Sequence, residues 1–358
     1  MSQTKVVSWL AMMVLVGLII IAAVRHAQKP RVMILHSYDP EYVWTREVNI
    51  GLNRVIDDWQ DFEVNWYYMD TKKHSQPSML EKAGALARQA VRQARPDILI
   101  AIDDNAQKYV GKYFVDDPNV NIVFAGVNFS VEPYGYIDSK NVTGIYEYKQ
   151  LDAVKEIIQT IEREKTYSKK KPSNAIGAEK ELQPRLLYVL DPSTTLQIER
   201  VYIDSFKWEP IDYIGSIEAK NFEDWKQIII QNSHLADYIM VANYRKLSVS
   251  SIDSRLVDPK SVMSWTEANS PIPVIGVNMF NVEDGAMLSI GASGIEQGEV
   301  AANLAEQIIS EKIPAGQIEV LVNKQYVVSF SKEALKKRNI SLPKIYETFS
   351  HATALSKD

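Results

Sequence analysis

The sequence predicts an α/β protein of two Rossmann-like lobes with parallel sheets, preceded by one N-terminal apolar helix. Three observations predict it. Short, nearly continuous apolar runs alternate with stretches of helical periodicity, and this alternation occurs twice along the chain. At 358 residues the chain exceeds what one small core organises and suits two. Apolar runs of this kind mark strands buried on both faces, as in a parallel sheet covered by helices.

Val6–Val24 (VVSWLAMMVLVGLIIIAAV) is a run of 19 residues without a charge. As a helix it would reach about 28 Å, one hydrocarbon core. Behind Lys5 it also reads as a secretory signal, although it is longer than the usual apolar core of roughly 7–15 residues. Ile21-Ala22-Ala23 is a passable cleavage site and Arg25-His26-Ala27 a poor one. Residues 1–30 therefore fit either a cleaved signal or an uncleaved membrane anchor. Arg25, Lys29 and Arg31 follow the segment and only Lys5 precedes it, so the positive-inside rule alone would keep the body cytoplasmic.

In the first lobe, expected over 31–145, the strands are Arg31–His36, Phe62–Met69, Ile98–Ile102 and Ile122–Ala125. Between them Val48, Leu52, Val55 and Trp59, then Leu80, Ala83, Ala87, Ala90 and Ala94, follow helical spacing. Asn105–Phe114 is a shorter helix. Residues 146–185 read as a connecting helix, with Leu151, Val154, Ile157, Ile158 and Ile161 on one face, then a charged surface loop from Glu162 to Arg185.

The second lobe, expected over 186–284, has strands at Leu186–Leu190, Tyr213–Glu218, Tyr238–Ala242 and Val274–Val277, with helices near Thr194–Phe206, Phe222–Ser233 and Val262–Asn269. An internal echo supports duplication: Val123-Phe124-Ala125-Gly126-Val127-Asn128-Phe129 parallels Val274-Ile275-Gly276-Val277-Asn278-Met279-Phe280. A common strand-to-loop ending would give the same echo.

Composition narrows the function classes. After residue 30 the chain has 37 basic and 45 acidic side chains, a net charge of −8, which argues against a nucleic-acid binder. A mean hydropathy of −0.19 excludes a polytopic membrane protein. With no cysteine, there is no disulfide, thiolate metal site, cysteine nucleophile or lipidated cysteine. The five histidines show no metal-ligand spacing, and no nucleophile elbow, Walker loop or G-x-G-x-x-G fingerprint occurs. Neither a metal nor a cofactor is indicated, and an enzyme is not expected.

In open parallel sheets the binding crevice lies beyond the carboxyl ends of the strands. That rule selects Ser37, Tyr38, Asp70, Asp103, Asn105 and Asn128 in the first lobe, and Ser193, Thr194, Asn243 and Asn278 in the second. Ser193 and Thr194 begin a helix, where they would cap it or hold a carboxylate. Tyr38 and Trp44 would form an aromatic wall for a ligand, or pack the core. Asp103 and Asp104 admit a metal site, an acid–base pair, or recognition of an ammonium or sugar hydroxyl. Neighbouring strand residues point to opposite faces, so one of the two is expected to cap the next helix.

Several segments carry a family resemblance. Arg31–Leu52 (RVMILHSYDPEYVWTREVNIGL), Ile122–Asn128 (IVFAGVN) and Asn141–Gly144 (NVTG) resemble the ABC-transporter substrate-binding-protein-like family. So do Leu187–Ser193 (LYVLDPS), Pro273–Gly276 (PVIG), Gly285–Gly298 (GAMLSIGASGIEQG) and Tyr326–Pro343 (YVVSFSKEALKKRNISLP). Some members of that family bind tryptophan or tyrosine, and related domains form periplasmic sensors of histidine kinases and diguanylate cyclases. The opening motif looks closest to that sensor-linked branch. The resemblance implies a type I periplasmic-binding-protein architecture with lobes that close on a small molecule. It implies crossover strands near Asn141–Tyr146, Gly285–Gly291 and Ile318–Phe330, with residues 285–358 supplying crossovers, a helix and a tail. Asp284, near a crossover, joins the ligand candidates. Asn243-Tyr244-Arg245 stands where amino-acid-binding relatives tend to carry an acidic residue, which puts an ammonium clamp there in doubt.

The expected protein is thus a periplasmic ligand-binding protein that serves an ABC importer and its permease, for an aromatic amino acid or similar small ligand. The alternative is a sensory protein tethered to the inner membrane by residues 6–24, reporting to a separate membrane sensor kinase or cyclase.

Overall fold

A computed structural model describes residues 9, 12–17, 29–59, 61–169 and 183–346. Most of Val6–Val24 lies outside them, and among the described residues no helix is long and apolar enough to cross a membrane.

The first elements are β1 (Arg31–His36), α1 (Val43–Ile56), β2 (Glu63–Tyr68), α2 (Pro77–Ala94), β3 (Ile98–Ile102), α3 (Asp104–Tyr109), β4 (Asn121–Asn128) and β5 (Val142–Glu147). Next come α4 (Leu151–Lys169), β6 (Arg185–Leu190), α5 (Thr194–Ser205), β7 (Asp212–Glu218), α6 (Phe222–Gln231), β8 (Tyr238–Val241), α7 (Pro259–Asn269), β9 (Val274–Gly276), α8 (Phe280–Glu283) and β10 (Leu288–Ala292). The chain then forms α9 (Gly294–Glu311), β11 (Leu321–Val322), β12 (Tyr326–Phe330) and α10 (Lys332–Lys337).

These elements make two units. The first holds β1 to β5 with α9 and β11; the second holds α4 to β10 with β12 and α10. The chain passes between units after Glu147, Ser293 and Asn323. The first sheet runs β11-β5-β4-β3-β1-β2, all parallel. The second runs β12-β10-β9-β8-β6-β7, parallel except for β12. In each the strand order reverses beside the first strand, between β1 and β3 and between β6 and β8. The two Gly-Val-Asn echoes lie at the ends of β4 and β9, the fourth strand of each unit.

Three local readings change. The helix expected over Asn105–Phe114 breaks after α3 into a separate 3-10 turn, Gly111–Phe114. The Tyr136 hydroxyl packs where a Cβ of Gly111 would stand. The strand expected at Ile122–Ala125 runs on to Asn128 through a register shift, which Gly126 accommodates at φ +65°. The connecting helix belongs to the second unit: Leu151, Val154, Ile157, Ile158 and Ile161 are buried in the core with Leu186, Tyr188, Leu190 and Tyr238. It also runs through Glu162–Lys169, where composition suggests a loop. Tyr238 Oη donates to Glu162 Oε1 at 2.6 Å, and Lys165 Nζ donates to Glu162 Oε1 at 2.8 Å, holding those turns to the sheet.

Within the first unit, α9 lies backbone-close on α1. A Cβ on Gly51 would strike the Ile295 carbonyl, and one on Gly298 would strike the Val48 carbonyl. Neither obstacle is a flexible side-chain tip, so the helices must part to admit a methyl group. Gly298→Ala is expected to destabilise the protein by about 1–3 kcal/mol, read from urea unfolding, and Gly51→Ala likewise. Wild-type stability in both variants would mean that this close approach is not required.

His36, at the end of β1, is fully buried, its ring parallel to those of Tyr68 (5.0 Å) and Trp66 (6.0 Å). Burial lowers its pKa from 6.5 to about 3. The folded value lies below the unfolded one, so its contribution is complete above pH 6.5 and is lost as pH falls towards 3. Across that window the wild type should lose up to about 1.4 kcal/mol per pH unit relative to His36→Leu. Urea midpoints at pH 7 and pH 4.5 measure this, and equal pH dependence in both proteins would exclude His36.

Candidate functional site

The switch point between β1 and β3 sets the first cluster. Ser37 follows β1 and is fully buried. Its hydroxyl donates to the Ile102 carbonyl at 2.8 Å and accepts from the Ala106 N–H at 2.7 Å. Ser37 therefore caps α3 from 69 residues away, in place of the Asp103 or Asp104 cap that local sequence suggests. Its backbone carbonyl accepts from Thr71 Oγ1, which in turn accepts from Asn105 Nδ2 at 2.9 Å. Ser37 and Asn105 thus hold strand ends together.

Asp103 ends β3 at φ 68°, ψ 162°, a conformation essentially restricted to glycine and costing on the order of 1–3 kcal/mol. It is 4% exposed. Its Oδ1 accepts from the Trp44 indole N–H at 2.8 Å, whereas Oδ2 is buried with no hydrogen-bond partner. Burial, then the nearby Glu147 carboxylate, push its carboxyl well above the usual range, opposed by Trp44 and Lys72. The Trp44 ring fits between two glycines: a Cβ on Gly126 would stand 3.5 Å from it, and one on Gly294 3.3 Å.

Tyr38 is half-buried and packs edge to face on Tyr42 at 5.4 Å. Burial, then Asp103 and Asp104, raise its phenol well above the ordinary value. The expected Tyr38–Trp44 wall is thus built differently, with Tyr42 as the partner of Tyr38 and Asp103 as the partner of Trp44. Asn128 Nδ2 and Tyr134 Oη both donate to Asp104, at 2.9 and 2.7 Å. Asp70, at φ 52°, faces Lys73 at 3.7 Å through Oδ2, and its Oδ1 is buried without a partner.

In the second unit the equivalent strand ends carry Asp191 and Asn243. Asp191 Oδ1 accepts from both the N–H and the hydroxyl of Ser193, and Oδ2 accepts from the Lys246 N–H at 2.9 Å. Ser193 is therefore held by Asp191 and makes no side-chain cap to α5. The Thr194 side chain lies outside the described residues. Asn243 Oδ1 accepts from the N–H groups of Tyr244 (2.9 Å) and Arg245 (3.1 Å). Asp284 accepts from the Tyr244 hydroxyl at 2.8 Å and from Arg245 Nη2 at 2.7 Å, and the guanidinium lies over the Phe280 ring at 4.3 Å. Asp284, at the end of α8, is thus bonded to Tyr244 and Arg245 of the Asn243-Tyr244-Arg245 segment. Asn278 donates to the Ala242 carbonyl and accepts from Lys149 Nζ at 2.7 Å. Lys149 also faces Glu199 at 3.9 Å.

Sequence reasoning passed over Gln297. Its Oε1 accepts from the Gly126 N–H at 2.7 Å and its Nε2 donates to the Tyr146 carbonyl at 3.1 Å, so α9 fixes the bulge of β4. A separation of 171 residues leaves no local signal for this. Tyr42, Lys72 and Tyr134 were also missed, and only their nearness to the selected strand ends hinted at them.

No family model matches the sequence, and no curated protein is detectably similar to it. Solved structures do match. The conserved domain protein of Vibrio cholerae aligns over 90% of this chain and 98% of its own, at TM-score 0.55 and 15% identity. The ABC domain from Streptococcus pneumoniae, in complex with L-Trp, aligns over 89% and 98% at TM-score 0.57 and 11% identity. The open, ligand-free substrate binding protein with adhesive properties from Clostridium difficile aligns over 88% and 96% at TM-score 0.59 and 13% identity. The chain has the type I periplasmic-binding-protein fold. Tyr38, Asp103, Asn128, Asn243 and Asn278 stand at or just beyond strand carboxyl ends, and Trp44 reaches Asp103 from α1.

Trp44 and Asp103 should be energetically coupled. Trp44→Phe keeps most of the ring between its glycines but removes the donor, and is expected to cost about 1–3 kcal/mol. Combining it with Asp103→Leu should cost less than the two single changes added, by about 1 kcal/mol or more. Strict additivity in urea unfolding would show that the hydrogen bond contributes nothing.

Proposed function

We propose that this protein is a ligand-binding protein of the bacterial cell envelope, serving an ABC importer as its periplasmic substrate-binding component. The ligand is an aromatic amino acid or a compound of similar size. The observation that carries this reading is the gathering of Tyr38, Tyr42, Trp44 and Asp103 at the β1–β3 switch point, with Asp103 in a strained backbone conformation. Strain of this kind collects at binding sites, where the surrounding structure holds it. The strand-end groups of the second unit support the same reading through Asn243, Asn278 and the Arg245–Asp284 pair. Two of the similar structures are described by their binding role: one holds L-Trp and another is a substrate binding protein. The described groups hydrogen-bond, stack and pair charges, which serves recognition without turnover.

A second reading has one observation behind it. Val6–Val24 is long enough to remain as an anchor, which fits a tethered sensory protein with a separate kinase or cyclase partner. N-terminal sequencing of protein taken from its own envelope separates the two. A mature start near residue 24 supports import; an intact Met1 in the membrane fraction supports the tethered sensor.

Native mass spectrometry of the same material tests ligand binding itself. One small molecule should co-purify and be recovered chemically unchanged, whereas a modified compound would indicate catalysis. Tyr38→Ala should weaken binding of that compound at least about tenfold, roughly 1.4 kcal/mol, with the fold retained. An unchanged affinity would remove the first-unit cluster from the site.

A further inference from the structure

At the strand ends of the second unit the acidic side chains are buried and already bonded. Asp191 is fully buried and accepts from Ser193 and from the Lys246 N–H. Glu199 is buried and accepts from the Tyr188 hydroxyl at 2.9 Å. Asp284 is buried, and its Oδ2 takes both the Tyr244 hydroxyl and Arg245 Nη2. Glu218, at the end of the edge strand β7, accepts from Gln197 Nε2.

Arg245 differs from all of these. In its pair with Asp284 the guanidinium carries the exposure, 37% of its side chain against 6% for the carboxylate. Asp284 alone accepts from its side chain among the described residues, and its Nε is buried with no partner. A guanidinium is always charged and presents several N–H donors in a planar fork that matches a carboxylate. Nη2 donates to Asp284, and the Phe280 ring, 4.3 Å away, supports the plane from one face. The fork is therefore oriented in advance, with further donors uncommitted. The buried Nε is an independent observation. A charged donor without an acceptor is costly to bury, and a negative charge on the same fork offsets that cost.

Asn243, on the same turn, is half-buried. Its Oδ1 is committed to the N–H groups of Tyr244 and Arg245, so the group it has left is the Nδ2 amide, a donor. An ammonium arriving here would meet the Arg245 charge, with the nearby acids buried and bonded. An anion would meet a preset fork beside an amide donor.

We infer that the second unit recognises a carboxylate group of the ligand through the exposed N–H groups of Arg245 beside the Asn243 amide, with Asp284 and Phe280 holding the guanidinium in place. This rests on the proposed ligand-binding function and narrows its substrate class to aromatic carboxylic acids, with or without an amino group.

Isothermal titration of the full-length protein with indole-3-acetate and its neutral isostere indole-3-acetamide tests the inference. The acid should bind at least about tenfold more tightly than the amide. Arg245→Gln should weaken the acid at least about tenfold while changing the amide less than about threefold, so that the preference is lost. Arg255→Gln, which removes an exposed guanidinium paired with Asp253, should change either compound less than about twofold. Should circular dichroism show that Arg245→Gln does not fold, Asn243→Asp decides. It keeps the oxygen that holds the Tyr244 and Arg245 N–H groups and puts a negative charge in place of the donor, so the acid should again lose its preference. Equal or tighter binding of the amide by the wild type, no binding of the acid, or a preference retained in the folded variant overturns the inference. Native mass spectrometry of envelope-derived protein then separates the two levels. A co-purified compound without a carboxylate would leave ligand binding standing and remove the anion site, and no co-purified compound would remove both.

Discussion

Taking a carboxyl group out of water is costly, and burial answers that cost by favouring the protonated form. The carboxyl-end face of the first sheet is organised round one such group. Asp103 sits in a glycine-like conformation, buried, with a single side-chain donor. Its surroundings follow from that placement. Gly126 turns with positive φ so that its backbone passes close to Asp103, and α9 supplies Gln297 to satisfy the N–H which that turn exposes. Ser37 takes over the capping of α3, leaving the Asp103 carboxyl for the Trp44 indole.

The second unit repeats the architecture with different chemistry. Its sheet reverses at the same place, and the echo of Gly-Val-Asn falls on the same strand. Glycine, however, has different tasks at the two positions. Gly126 supplies a left-handed turn, whereas Gly276 makes room for the Asn281 side chain. The charges of the second unit are largely paired within it: Arg245 with Asp284, and Lys149 with Glu199, whose carboxyl is pushed up by burial. The two units thus share a frame and differ in their strand-end side chains.

The parallel sheets were legible because burial on both faces writes a nearly continuous apolar run, as at Val32–Leu35 and Ile98–Ile102. The strand-end rule selected Tyr38, Asp103 and Asn128, which the fold places at the ends of β1, β3 and β4. What stayed hidden depends on long separations. The Ser37 cap of α3, the Trp44–Asp103 bond and the Gln297 brace join residues 69, 59 and 171 positions apart. The reading of Glu162–Arg185 as a loop failed over Glu162–Lys169 for a similar reason. Glu162 and Lys165 look like solvated charges in sequence, but in the fold they meet the Tyr238 hydroxyl.

On the proposed function, ligand recognition in the first unit takes place at the Asp103–Trp44 junction. The indole N–H resonances of the seven tryptophans report on it directly, with Trp44 assigned by Trp44→Phe. On titration with the compound that co-purifies from the native envelope, the Trp44 resonance should show the largest shift. That of Trp225, fully buried and donating to Thr266 at 2.8 Å, should barely move. A Trp44 resonance that stays fixed at saturation would show that the ligand is recognised elsewhere.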